Sequence, residues 1–117
     1  MTVKKKQMQQ LAGLMEARFM SGQSKLKLRL AEEARLSTAV EALDEARHKA
    51  MADASDPAHF SPAHARATNV WLRWTDARKA ALNRDLARAR AASAKARKAL
   101  ARSFGQMQAS RALMKKL

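Results

Sequence analysis

The sequence lacks cysteine and tyrosine, and its 117 residues include only three glycines and two prolines. The absence of cysteine excludes disulfide bonds and thiolate chemistry. Isoleucine is also absent and valine occurs only three times, so no run of alternating β-branched residues predicts a strand. With so few helix-breaking residues, the abundant alanine, leucine, arginine and lysine favour long helices with little loop.

Acidic residues are also scarce, at ten against 24 basic ones, which gives a formal net charge of +14. Residues 86–117 contain no acidic side chain at all. This excess favours nucleic acid, anionic lipid or an acidic protein surface as the partner. No apolar run approaches the roughly 20 residues that span a bilayer. Since glutamines and Gly13 follow Lys4–Lys6, no secretory signal is expected and a cytoplasmic location is predicted.

Two stretches with helical spacing of apolar residues flank a single break. They predict an all-α fold, a long antiparallel two-helix coiled-coil hairpin forming one domain over residues 1–117. Helix 1 is expected at about 3–52, with Thr2 as its cap, and helix 2 at about 62–115. One short bend, near residues 53–61, joins them.

The bend contains two capping residues that each precede a proline. Asp56 before Pro57 predicts a short capped turn. Ser61 before Pro62 predicts the start of helix 2, because serine accepts from free helix N–H groups and proline suits the first helical position.

The register of the hairpin is predicted from a near mirror symmetry about Ser61, in which the numbers of facing residues add up to 122. The facing pairs are Met8 with Met114, Met15 with Met107, Gly22 with Leu100, Leu26 with Ala96, Leu30 with Ala92, Leu36 with Leu86, Val40 with Leu82 and Met51 with Trp71. A register shifted by seven residues also satisfies a heptad repeat. The pairing of small with large residues favours the sum of 122.

The seam between the helices is expected to follow steps of three and four residues. In helix 1 it comprises Met8, Leu11, Met15, Phe19, Gly22, Leu26, Leu36, Val40 and Leu43. In helix 2 it comprises Trp71, Trp74, Leu82, Leu86, Ala89, Ser93, Ala96, Leu100, Ser103 and Met107. Strict spacing would place Arg29 and Glu33 inward, whereas Leu30 and Ala34, one position over, predict a drift of the seam.

Basic residues repeat at seven-residue spacing along helix 2. The set comprises Arg84, Arg88, Arg90, Lys95, Arg97, Lys98 and Arg102. One interpretation is a solvated face that keeps an alanine-rich helix soluble. The other is a surface along which an acidic partner or nucleic acid docks. No recognition motif or stacking aromatic accompanies the set, so sequence-specific reading of bases is not expected.

An acidic patch on helix 1 faces basic residues of helix 2 in the predicted register. The patch comprises Glu32, Glu33, Glu41, Asp44 and Glu45, and the opposing cations are Arg78, Lys79, Arg84 and Arg88. We expect inter-helix ion pairs that fix the register.

Three aromatic residues, Phe60, Trp71 and Trp74, lie in or near the bend. The favoured interpretation is an aromatic plug that closes the tip against Met51 and His48. The alternative is an exposed hot spot for a partner, a role that tryptophan often has.

Both ends of the chain are basic and rich in methionine, and the hairpin brings them together. They comprise Lys4, Lys5, Lys6 and Met8 at one end, and Met114, Lys115 and Lys116 at the other. They form either a solvated, frayed end or an adaptable apolar tip, flanked by charge, that inserts into a partner.

The pattern does not predict an enzyme. His48, His59 and His64 have only Asp53 and Asp56 nearby, which is not a convincing metal site. No glycine-rich phosphate loop and no paired carboxylates in a plausible pocket are present. We therefore expect no catalytic residue, metal or cofactor.

A basic, cysteine-free hairpin of this length, with both termini at one end, resembles the FliJ-like stalk proteins of flagellar and type III secretion export, including the YscO-type members. The resemblance rests on the heptad seam from Met8 to Met114, the position of the bend and the charged helical faces. It implies an adaptor whose end formed by Lys4–Met15 and Met107–Leu117 enters an export ATPase ring, while the bend faces the export gate.

Two alternatives stay open beside the adaptor. A basic helical protein of this kind could bind nucleic acid non-specifically. A thin two-helix core could also be completed by a second copy, giving a homodimeric four-helix bundle rather than a monomer.

Overall fold

A computed structural model describes residues 2–117, with their side chains from Val3 onward. Helix α1 spans Thr2–Ala54 and helix α2 spans Pro62–Lys115. A short 3-10 helix, Pro57–His59, lies between them. The predicted all-α hairpin with one short bend is thereby confirmed. The cap proposed for Thr2 lies outside the described side chains.

Capping side chains begin both the 3-10 helix and α2 where the sequence predicts them. Asp56 Oδ1 accepts a hydrogen bond from Ala58 N at 3.0 Å. Ser61 Oγ accepts from His64 N at 3.0 Å. Helix α1 continues two residues beyond its predicted end, because the first proline that disfavours helix before it comes only at Pro57.

The helices form two compact units. The terminal unit comprises α1 up to Ala31 together with Arg90–Leu117. The bend unit comprises Glu32–Ala89.

In the terminal unit the helices pack antiparallel in the predicted register. A Cβ built on Gly22 would lie 3.1 Å from Leu100 Cδ1. The rings of Phe19 and Phe104 have centroids 5.5 Å apart. These two contacts exclude the register that is shifted by seven residues. Met107 is a buried apolar side chain of this unit, and Ser93, Ser103 and Ser110 are buried at seam positions of α2.

In the bend unit the core is a small leucine cluster. Leu36, Leu82 and Leu86 are buried, and they are covered by Ala39, Val40, Leu43 and Ala89. The side chain of Thr75 is fully buried, at 0% exposure. Because each helix buries only one stripe, the apolar core of this unit is thin.

The seam of α2 follows a strict heptad that differs from the prediction at its start. It runs through Thr68, Leu72, Thr75, Lys79, Leu82, Leu86, Ala89, Ser93, Ala96, Leu100, Ser103, Met107, Ser110 and Met114, all buried or half-buried. Trp74 was assigned to this seam, but 57% of its surface is exposed. That assignment was wrong because counting back from Leu82 in steps of three and four leads to Thr75 and Leu72.

The seam of α1 changes its spacing part-way along the helix. Leu26 and Leu30 both point inward, so two steps of four follow each other from Gly22. Glu33 and Leu36 return to the positions that a strict heptad counted from Gly22 gives, so the displacement is confined to one position. Leu30 is half-buried and Arg29 is exposed, so the predicted drift occurs at this pair. Glu33 is half-buried and Ala34 is exposed, so the drift does not extend to them.

Near the start of α1 a second assignment was wrong. Leu11 is exposed, and Ala12 takes the half-buried seam position instead. The steps from Met8 through Ala12 to Met15 keep the heptad, and Leu11 lies one position away from it. Within residues 2–117, neither helix contains a segment long and apolar enough to cross a membrane.

Candidate interaction surfaces

The charge of the protein is divided unequally between the two units. Residues 1–31 and 90–117 carry fifteen basic side chains and one acidic one, whereas residues 32–89 carry nine of each sign. The terminal unit therefore holds the whole formal net charge of +14. A concentrated positive field of this kind attracts an anionic partner to one part of the molecule.

The basic set predicted on α2 is exposed throughout but is shared between the units. Arg84 and Arg88 belong to the bend unit, where Arg88 Nη1 lies 3.7 Å from Asp85 Oδ1 on its own helix. The terminal unit contains the other members, which are Arg90, Lys95, Arg97, Lys98 and Arg102. All members of this second group lie within the acid-free residues 86–117, at least five residues beyond Asp85.

The terminal turns of both helices belong to the terminal unit. Lys4, Lys5, Lys6, Lys115 and Lys116 are exposed, and Met8 and Met114 are half-buried at seam positions. Arg111 Nη2 donates to Glu16 Oε1 at 3.2 Å. Since Glu16 is the one acidic residue of the unit, this pair uses its only side-chain carboxylate.

An open groove of about 630 Å³ lies in the terminal unit beside the close approach of Gly22 and Leu100. Small residues of both helices line it: Ala17, Ser21, Gly22, Ala99 and Ser103. Leu14 and Met15 add apolar surface, and Arg18 and Lys25 add positive charge.

The expected aromatic plug at the bend is not formed. Phe60 is 73% exposed, Trp74 57% and Met51 44%, while Trp71 is half-buried. His48 is exposed as well. Because Thr75 occupies the seam, Trp74 is turned outward, and with Val70, 69% exposed, it leaves apolar surface open to solvent on α2.

Ion pairs join the helices of the bend unit. Lys79 Nζ lies 2.6 Å from Asp44 Oδ1, as expected from the register. Arg47 Nε donates to Asp76 Oδ1 at 3.0 Å, a pair that the sequence reasoning missed. Both pairs surround a shallow polar pocket of about 350 Å³ that His48 and Met51 also line.

Other charges of the bend unit pair within their own helix instead. Arg35 forms a two-pronged hydrogen bond to Glu32, with Nε at 3.0 Å from Oε2 and Nη2 at 2.6 Å from Oε1. Lys49 Nζ lies 3.9 Å from Glu45 Oε1. Side chains three and four residues apart are neighbours on one face of a helix, so these pairs form without a partner from α2. The hydrogen bond from Arg35 lowers the pKa of the Glu32 carboxyl.

The histidines do not converge. His59 Nδ1 lies 3.1 Å from Asp56 Oδ2 in the bend, and His48 and His64 are exposed on α1 and α2. Within the described part of the chain, no three histidine, aspartate or glutamate side chains are grouped as metal ligands.

Sequence reasoning missed the groove and the burial of Thr75, whereas Ser93 was predicted at the seam. The groove could have been anticipated, because Gly22, Ala99 and Ser103 all carry little or no side chain near the predicted Gly22–Leu100 pair. Thr75 and Ser93 are buried with no hydrogen-bond partner for their hydroxyls among the described residues. Only strict heptad counting would have placed Thr75 in the core.

No protein-family model matches this chain, and no curated protein or solved structure is a significant match.

Proposed function

We propose that this protein is a non-enzymatic, cytoplasmic helical adaptor that binds an acidic protein partner through its terminal unit. The observation that carries this proposal is the division of charge: fifteen basic residues against one acidic in the terminal unit, nine against nine in the bend unit. An adaptor that touched its partner equally along both units would not need such a division.

The likeness to the export-ATPase stalk proteins supports the same end of the molecule. Those proteins associate with the ATPase through the end that carries the termini. Here that end is basic, with Lys4–Lys6 and Lys115 exposed and Met8 and Met114 half-buried. Flexible methionine side chains adapt to an irregular partner surface, and the surrounding charge favours an acidic ring or channel. The partner that we propose is therefore an export ATPase.

The exposed residues near the bend give the adaptor a second contact. Phe60 and Trp74 have more than half of their surface open to solvent. Exposed tryptophan is enriched at the energetic centres of interfaces. In a stalk protein of the export ATPase, this surface, with the half-buried Trp71 beside it, would face the export gate.

Copurification with the export ATPase of the same organism tests the proposal. We expect binding by the full chain, and loss of binding when residues 108–117 are removed. The combined change Lys95→Glu, Lys98→Glu and Arg102→Glu should also abolish it. The matched control is Arg66→Glu, Arg73→Glu and Arg78→Glu, the same charge change on exposed positions of the bend unit. Binding that survives trimming of both ends contradicts insertion of the termini.

Non-specific nucleic-acid binding is the second candidate, and the same division of charge favours it. Several exposed lysines and arginines on one unit can displace the counterions of a phosphate backbone. The affinity for arbitrary duplex DNA should then fall steeply between low and moderate salt. Absence of binding at low salt would eliminate this candidate.

A further inference from the structure

The groove of the terminal unit combines an apolar surface with a positive edge. Ala17, Gly22 and Ala99 keep the helix backbones open to approach, and Leu14 is 64% exposed beside them. Small residues of this kind let another helix come close, because no long side chain holds it away. Met15 adds a flexible apolar side chain at the same place.

The positive edge of the groove is formed by two basic residues at helical spacing. Arg18 and Lys25 are exposed and seven residues apart, so they lie on one face of α1, about 10.5 Å apart along its axis. Ser21 lies between them and lines the same groove. Carboxylates at positions i and i+7 of a facing helix repeat at the same interval.

The acidic side chain that could neutralise this edge is engaged elsewhere. Glu16, the one acidic residue of the unit, pairs with Arg111, and neither residue lines the groove. The edge therefore presents uncompensated positive charge beside an apolar surface. We infer that this groove receives an acidic amphipathic helix of a partner protein, with its apolar stripe on Leu14 and Met15 and its carboxylates on Arg18 and Lys25.

Other occupants fit less well. A second copy of this unit would bring a further fifteen basic residues against one acidic, and like charges repel. A nucleic-acid backbone would satisfy Arg18 and Lys25 but would leave Leu14 and Met15 uncovered by apolar surface. The inference rests on the proposed function, because it assumes that the partner is an acidic protein.

A synthetic peptide provides the probe. We would use a fluorescently labelled helical peptide of 21 residues, built from alanine, leucine and glutamate, with a leucine stripe and glutamates seven residues apart. A scrambled peptide of the same composition has no stripe. Fluorescence anisotropy with the full chain should show binding of the first peptide, and at least about tenfold weaker binding of the second.

Variants of the full chain locate the binding. Arg18→Glu with Lys25→Glu should weaken binding by about tenfold or more. The matched control, Lys27→Glu with Arg29→Glu, makes the same charge change on exposed residues of α1 that do not line the groove, and should have a much smaller effect. Ala17→Leu fills the groove at an exposed helical position and should also weaken binding without loss of helicity.

Equal losses in the two charge-reversal variants, or equal binding of both peptides, would overturn the inference, because charge alone would then explain the affinity. Duplex DNA that competes fully with the peptide at moderate salt would overturn it in favour of nucleic acid. If the ATPase copurifies while the peptide does not bind, the groove inference fails and the adaptor stands. If neither binds, the adaptor proposal fails as well.

Discussion

Gly22 of α1 lies so close to Leu100 of α2 that a Cβ on the glycine would sit 3.1 Å from Leu100 Cδ1. The nearest backbone atom, Leu100 Cα, would be 4.0 Å away, an ordinary contact. The restriction is therefore imposed by the end of one side chain. Leu100 is half-buried, so we expect the flexible end of its side chain to shift by a few tenths of an ångström.

We expect Gly22→Ala to stabilise the protein slightly, by about 0.5 kcal/mol. Alanine is about 1 kcal/mol better than glycine inside a helix, and a small shift of Leu100 offsets part of that gain. Urea unfolding followed by circular dichroism measures the change. Gly13→Ala is the matched control on the same helix and should gain the full amount, since no neighbouring atom of the described residues lies within 4 Å of its added Cβ. A clear loss of stability in Gly22→Ala alone would show that Leu100 cannot move.

Leu86→Ala should destabilise the bend unit by about 2 kcal/mol, near the lower end of the range for a buried leucine. Leu86 is 6% exposed and packs in the cluster with Leu36 and Leu82. The value is low because a two-helix seam leaves the cavity open to solvent at its sides. Leu28→Ala, at a position that is 72% exposed, should change the free energy of unfolding very little. Similar losses in the two variants would contradict the assignment of Leu86 to the core.

The hairpin could be predicted because its rules are local. Few residues break helices, Asp56 and Ser61 cap the helices at the bend, and small–large pairs such as Gly22 with Leu100 distinguish one register from another. The rows of basic residues on α2 could be predicted in the same way, since spacing alone places Lys95 and Arg102 on one face of the helix.

The aromatic residues and the site were harder to predict. Trp74 was expected inside because it is large and apolar, but the heptad puts Thr75 there, and packing against the facing helix decides burial. The groove depends on the volume that side chains of two helices leave empty, which is a property of their arrangement. The division of charge between the units required the fold, because it combines residues from both ends of the sequence.

Thr75→Val should increase the free energy of unfolding by about 1 kcal/mol. The Thr75 hydroxyl is fully buried and has no hydrogen-bond partner among the described residues, and burying an unsatisfied polar group costs about 1–3 kcal/mol. Valine keeps the branched shape and removes that cost. Thr68→Val, at a half-buried seam position one heptad earlier, is the control and should have a smaller effect. A loss of stability in Thr75→Val would mean that the hydroxyl is hydrogen-bonded in solution.

The pair of Glu32 and Arg35 should make stability depend on pH in the acidic range. Arg35 holds the pKa of the Glu32 carboxyl below its ordinary value in the folded chain. The stabilisation is therefore fully present above the unfolded pKa of about 4.3, and it is lost as the pH falls through the lower, folded pKa. Thermal unfolding should give a higher Tm for the wild type than for Glu32→Gln at pH 7, and the two Tm values should converge in strong acid. Because the pair is exposed, the difference in Tm should be small and should shrink in high salt.

Glu41→Gln, on the same helix, is the control for loss of one negative charge. If both variants lose stability equally at pH 7, net charge rather than this ion pair is responsible.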